Sequence, residues 1–400
     1  MPTLITYVII VLVSLVTLEV GSFGILTWMD MSAGLTLEQA IHNRERESPW
    51  LANIRTYNEF DPVTLTRMRI GEDRGGRIVN RFGFVDNGHQ TAPFPEKSAG
   101  LFRIAVFGGS SLEGQGLTGA QTIPAQLESI LSESRKFQQV QVLNFGMTGA
   151  YTWSSVVRYL SEVTFYDPDA VICLEGWNDA ILARFEAPRR GVPHAIVDWG
   201  QPAYEYFDFW HGLPAIAVSA ATAPSIMTWS YVLAKHLAAP ASRSAEKAMI
   251  YGDSPSYRFS GDVTKADPNF SQAFASNLDA IGQHARAHGR LFLAYLQPHA
   301  EYGKPLSSEE DVKISDFLAA ASHDYGPEWQ RRTYDKIMRE AFSDYAASVK
   351  SIEGAQDIRE LFADRPETLY QDAIHYNVAG AHVIAERMAA DLLALRNRQR

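Results

Sequence analysis

Four short segments carry side chains able to do chemistry. Gly108-Gly109-Ser110-Ser111 ends the apolar run 101–107. A serine between a strand and a helix can project its hydroxyl, with helix N-terminal N–H groups behind it. Two serines capping a helix are the alternative. Asn144-Phe145-Gly146-Met147-Thr148-Gly149 follows the run 140–143. Glycine there lets the backbone approach a ligand and aim an N–H, or simply turns the chain. Gly176-Trp177-Asn178-Asp179 follows the run 170–174. The Asn178 amide can donate to an oxyanion, or Asn178 opens a helix through an Asx-turn. Asp372-Ala373-Ile374-His375 stands just before the last helical stretch. A carboxylate three residues from an imidazole can hold its tautomer while the other ring nitrogen faces a nucleophile.

Such groups work only if the fold gathers them. Strands are expected at 101–107, 140–143, 170–174 and 291–296, and helical periodicity covers 123–137, 153–165, 270–288, 328–350 and 378–395. Strands alternating with helices predict an α/β fold with a parallel sheet covered on both faces. Open sheets of this kind place ligands at the carboxyl ends of their strands, where the first three segments fall. Residues 182–262 break the alternation. They are rich in Ala and Pro and contain Trp199, Trp210 and Trp229, and read as an insertion over the sheet. The expected division is 1–28, then a connecting region 29–98 with turn signals at Gly75-Gly76 and Asn87-Gly88, then a main domain 99–400.

Residues 4–18 are apolar apart from hydroxyls, and 20–28 are mostly apolar after Glu19. Together the two runs have the length to span a bilayer. The first three residues contain no Lys or Arg, and no A-x-A site follows. We therefore read a retained transmembrane anchor, with a cleavable signal as the alternative. Charge specifies its orientation only weakly, since Arg44 and Arg46 are accompanied by Glu45 and Glu47; the expectation is a main domain outside the cytoplasm, in a periplasm-like space. An acid in hydrocarbon is costly, so Glu19 is expected at an interface or against a membrane-protein partner.

Composition removes several classes. The net charge of -10 argues against nucleic acid as a partner. The single cysteine, Cys173, permits no intrachain disulfide and no Cys-based zinc site, and reads as a core residue. No G-x-S-x-G elbow is present, and the glycines of 108–116 lack a GK[ST] ending. His284 and His288 sit four apart without the Glu of a metalloprotease motif, and read as a helix face. No cofactor or metal is expected.

Taken in order, Ser110, Gly149, Asn178 and the Asp372/His375 pair resemble the SGNH, or GDSL-like, hydrolase family. The resemblance is dense over 100–180 and returns at Leu296-Gln297-Pro298 and 372–380. It implies a three-layer flavodoxin-like sheet, with one N-terminal transmembrane helix added in this chain. It also implies a serine esterase or acyltransferase: Ser110 the nucleophile, His375 the base, Asp372 its orienting acid, and Ser110, Gly149 and Asn178 the oxyanion donors. The first block departs from Gly-Asp-Ser-Leu, having Gly109 for Asp and Ser111 for Leu. A literal Gly252-Asp253-Ser254 follows the Asn block and is rejected as a decoy. The expected substrate is an acylated small molecule or glycan of the cell envelope or exported material. The alternative is a silent accessory subunit of a membrane complex that keeps the scaffold.

Overall fold

The computed structural model describes residues 2–32, 37, 58–61, 65–68, 70–71, 75–87, 96–182, 268–300, 302–325 and 330–398. Most of the insertion, with its three tryptophans and the Gly252-Asp253-Ser254 decoy, lies outside them. The chain divides into two compact units, one comprising Met1–Phe60 with Ile196–Pro255, the other Asp61–Ala195 with Ser256–Arg400.

In the first unit, helix α1 (Pro2–Ser32) runs unbroken through both apolar stretches. Within it Thr17 donates to the Val13 carbonyl and Thr27 to the Phe23 carbonyl, each at 2.8 Å. Ser22 and Leu26 are buried, while Val13, Val16, Val20 and Trp28 are exposed. Among the described residues no helix is long and apolar enough to cross a membrane. The side chains of residues 2–12, the most apolar part of α1, are outside that description.

The second unit is built on five parallel strands. These are β1 (Leu101–Gly108), β2 (Gln139–Asn144), β3 (Ala170–Glu175), β4 (Leu291–Leu296) and β5 (Ala355–Asp357). Their order is β2-β1-β3-β4-β5, and every pairing is parallel. Every residue of β3 and β4 is buried, as expected for strands covered on both faces. Cys173 is buried within β3.

The helices are α2 (Ser110–Glu113), α3 (Ile123–Glu133), α4 (Thr152–Ser161), α5 (Trp177–Leu182), α6 (Pro268–Ala287), α7 (Ser308–Tyr325), α8 (Arg331–Val349) and α9 (Val378–Arg398). The final helix α9 packs on α3, while α6 packs against α4 and α8. Strand order and parallel pairing give the expected α/β fold with a parallel sheet. Helix α3 begins where it does because Thr122 caps it, accepting from the Ala125 N–H at 3.3 Å, with proline in its first turn.

Two differences from the sequence reading have local causes. The helix expected over 153–165 stops at Ser161, because Glu162 leaves helical angles and Val163–Tyr166 forms a 3-10 turn. Residues 75–87, read as connection, belong to the core of the second unit. Val85 makes an antiparallel bridge to Asn144, Phe84 lies 4.8 Å from Phe145, and Arg158 donates to the Gly83 carbonyl at 2.8 Å. This segment meets the end of edge strand β2, which a parallel sheet must protect.

The order β2-β1-β3 matters for function. It makes the carboxyl ends of β1 and β3 a topological switch point, where open α/β sheets place their ligands. Ser110 follows β1 and Asn178 follows β3, one on each side of this switch point.

Candidate active site

The glycines at the end of β1 decide how closely the two sides approach. A Cβ on Gly109 would fall 2.4 Å from the Asn178 amide nitrogen and 3.3 Å from the Ala150 carbonyl oxygen. Only a residue without a side chain leaves that amide in place beside Ser110. Asn178 Nδ2 donates to the Ala150 carbonyl at 2.6 Å. An amide nitrogen carries two hydrogens, so one remains for a ligand. Gly149, next to Ala150, has φ +77°, a left-handed conformation that tightens this loop.

A second tie holds the same loop. Helix α4 has no side-chain cap of its own at Tyr151. Asp179, the neighbour of Asn178, supplies the carboxylate. It accepts from the Thr152 N–H at 3.2 Å and the Thr152 hydroxyl at 2.5 Å. Asn178 and Asp179 thus fasten α5 to the Gly149 loop at two adjacent points. Below them Glu175 accepts from the Ser155 hydroxyl at 2.6 Å.

Both carboxyls are fully buried, and burial is the main reason their proton affinities rise. Glu175 is pushed well above the ordinary range and Asp179 to about 7. Folded Asp179 therefore holds its proton more tightly than the unfolded carboxyl, whose value is 3.8. Its contribution to stability is fully present below the unfolded value and is lost as the pH rises through about 7. Asp179→Asn keeps an acceptor for Thr152 and removes the titration. Between pH 4 and 8 the wild type should lose melting temperature relative to this variant. A difference independent of pH would contradict the assignment.

The third part of the site comes from the loop before α9. Tyr370 and Tyr376 form an antiparallel bridge, and Gln371 N–H donates to the His375 carbonyl at 2.8 Å, closing the loop on itself. Glu310 anchors its root, accepting from the Leu369 N–H at 2.8 Å while paired with Lys304 at 2.7 Å. Gln297, at the end of β4, accepts from the Trp177 N–H and donates to the Tyr376 hydroxyl, each at 3.4 Å.

Within this loop, Asp372 Oδ1 accepts from the Ile374 and His375 N–H groups at 2.7 and 2.8 Å. Asp372 Oδ2 lies 2.7 Å from His375 Nδ1, and His375 Nε2 lies 2.8 Å from Ser110 Oγ. Burial works to raise the Asp372 pKa, but the hydrogen bonds and charge of His375 and the Ile374 N–H outweigh it, and the carboxyl sits below its usual range. The arrangement can take a proton from a serine hydroxyl and hold the resulting imidazolium.

In the order of its Ser110, Gly149, Asn178 and Asp372/His375 blocks the sequence resembles the SGNH hydrolases. No family model and no curated protein matches it. Solved structures that do match include TesA, at 14% identity over 73% of this chain and 99% of that one, TM-score 0.37. A lipase/acylhydrolase from Enterococcus faecalis matches at 12% identity over 73% and 95%, TM-score 0.36. A catalytic mutant of Axe2, an acetylxylan esterase from Geobacillus stearothermophilus, matches at 11% over 72% and 93%, TM-score 0.38.

Of the five residues singled out in the sequence, Ser110, His375, Asp372 and Asn178 meet at the switch point, and Gly149 precedes the Ala150 carbonyl that Asn178 holds. Ser110, His375 and Asp372 form one hydrogen-bonded line; Asn178 and the Gly149 loop flank it. Ser111 points elsewhere: its hydroxyl donates to the Ile374 carbonyl at 3.0 Å. The sequence reading missed Glu113, the last residue of α2. Its buried carboxylate accepts from the Thr148 N–H at 2.6 Å and the Thr148 hydroxyl at 2.7 Å, tying α2 to the Gly149 loop. The missed signal was an acid three residues after Ser110 in an otherwise small and apolar segment. Among the described residues no group of three His, Cys, Asp or Glu side chains could hold a metal ion. His284 hydrogen-bonds the Tyr159 hydroxyl at 3.0 Å and stacks on His288, in keeping with a helix face.

Asn178→Ala should lower kcat for p-nitrophenyl acetate by roughly 10² to 10³. An unchanged kcat in a folded variant would remove Asn178 from the site.

Proposed function

We propose that this protein is a serine-dependent ester hydrolase or O-acyltransferase. The observation that carries the reading is the line Ser110 Oγ to His375 Nε2 (2.8 Å) and His375 Nδ1 to Asp372 Oδ2 (2.7 Å). It is set at the switch point of the sheet, with the Asn178 amide alongside.

Ser110 attacks the acyl carbonyl as His375 takes its proton. Asp372 keeps the proton on Nδ1 beforehand and stabilises the imidazolium afterwards. The oxyanion is received by the Ser110 and Gly149 N–H groups and the Asn178 amide. His375 then returns the proton to the departing alcohol. A water or a second hydroxyl, activated by His375, releases the acyl group.

The substrate we favour is an O-acyl group, acetyl first, on a cell-envelope or exported glycan. The membrane part of the proposal rests on sequence. Residues 4–28 are apolar but for hydroxyls, Glu19 and glycines, and α1 carries them as one continuous helix. We place this helix in a membrane and the second unit outside the cytoplasm. Full-length protein should fractionate with membranes and resist alkaline carbonate; release by carbonate would refute the anchor. Given an O-acetylated glycan, it should release acetate or pass the acetyl group to an added sugar, in either case lost in Ser110→Ala. Neither product, from folded wild type that also fails to turn over p-nitrophenyl acetate, would favour a silent accessory subunit.

A further inference from the structure

The helix that carries the nucleophile also reaches the loop that carries the base. Ser111, buried and next to Ser110, donates its hydroxyl to the Ile374 carbonyl at 3.0 Å. That carbonyl belongs to the peptide group joining Ile374 to His375. The N–H of the same peptide is held by Asp372 Oδ1 at 2.8 Å. The peptide that bears the imidazole is therefore gripped at both ends, by Asp372 from its own loop and by Ser111 from α2.

The contacts close a ring. From Ser110 the chain passes to Ser111, across a hydrogen bond to Ile374, on to His375, and back through Nε2 to Ser110 Oγ at 2.8 Å. The other ties of this loop reach its flanks, Gln297 at Tyr376, Glu310 at its root Leu369 and Gln371 at Gln115, whereas the Ser111 bond runs from α2 itself to the peptide that bears the imidazole. Ser111 is enclosed, so a solvent water does not readily replace its hydroxyl. In the block Gly-Asp-Ser-Leu this position holds leucine, which has no donor; here the departure from that block has a physical use.

We infer that Ser111 is a positioning residue, which clamps the His375 loop to the nucleophile helix and sets the Ser110–His375 hydrogen bond. The inference rests on the roles proposed above for Ser110 and His375. A displacement of about 1 Å between reacting groups costs roughly 10²-fold. Ser111→Ala in the full-length protein should therefore lower kcat by roughly 10- to 100-fold, with KM little changed. Because Ser111 acts through His375, adding Ser111→Ala to His375→Ala should change nothing further. The Nδ1 proton shared by His375 and Asp372, followed as a downfield resonance, should shift or broaden in Ser111→Ala, a readout that needs no turnover.

Equal losses of kcat with and without His375, or no loss in the wild-type background, would overturn the inference. An unchanged downfield resonance would do the same. A protein without Ser110-dependent turnover whose resonance still responds to Ser111→Ala would refute the proposed function and leave the clamp standing.

Discussion

Ser110→Ala should reduce ester turnover by about 10⁶-fold, the scale on which removing a triad nucleophile acts. The residual rate, about 10³ to 10⁴ over water, would come from oxyanion donors and binding alone. The effect is expected to be this large because no neighbour can substitute. Ser111 Oγ is committed to the Ile374 carbonyl, on the side of α2 that faces the loop backbone and not the imidazole. The Thr148 hydroxyl is committed to Glu113. Ser110 Oγ bonds His375 and sits at the switch point. Its loss should leave the fold intact, since one such hydrogen bond contributes about 1 kcal/mol. Steady-state kinetics on p-nitrophenyl acetate, beside a melting curve, checks both statements. Turnover within tenfold of wild type would place the nucleophile elsewhere.

Asp372→Asn should lower kcat by about 10⁴, the scale found when the acid of a serine-protease triad is made an amide. The geometry gives the reason. Asp372 Oδ1 accepts two backbone N–H groups, so an asparagine would keep its carbonyl oxygen there and turn its NH₂ toward His375 Nδ1. The imidazole would then carry its proton on Nε2, facing Ser110, and could not accept another. Loop conformation and KM should change little, because the backbone contacts survive. A loss below about tenfold would mean that Asp372 shapes the loop and does not set the tautomer of His375.

The parts of this site that the sequence makes legible are those encoded locally. Strand β4 is a continuous apolar run, β1 is one broken only by Arg103 and β3 one that ends at Glu175, and each is followed by a small or amide-bearing segment. Asp372 and His375 are three apart, so one loop holds both. The contacts that align the site join residues distant in sequence. Ser111 and Ile374 are 263 positions apart, Glu113 and Thr148 are 35 apart, and Thr152 and Asp179 are 27 apart. No periodicity signals such pairs; they exist only once the strands are ordered. Strand β5, Ala-Gln-Asp, escapes notice because three residues with one small apolar side chain have no pattern. In helix α2, a single turn, the sequence singles out only Ser110, yet its first, second and fourth residues each make a bond to the site.

The central claim is that Ser110 is an activated nucleophile, and covalent mapping tests it most directly. Folded full-length protein would be treated with a fluorophosphonate, and the adduct located by peptide mass. One adduct on Ser110, absent in Ser110→Ala and strongly slowed in His375→Ala, is the predicted result. No adduct on folded wild type, or an adduct on Ser111 or Ser254 in place of Ser110, would contradict it.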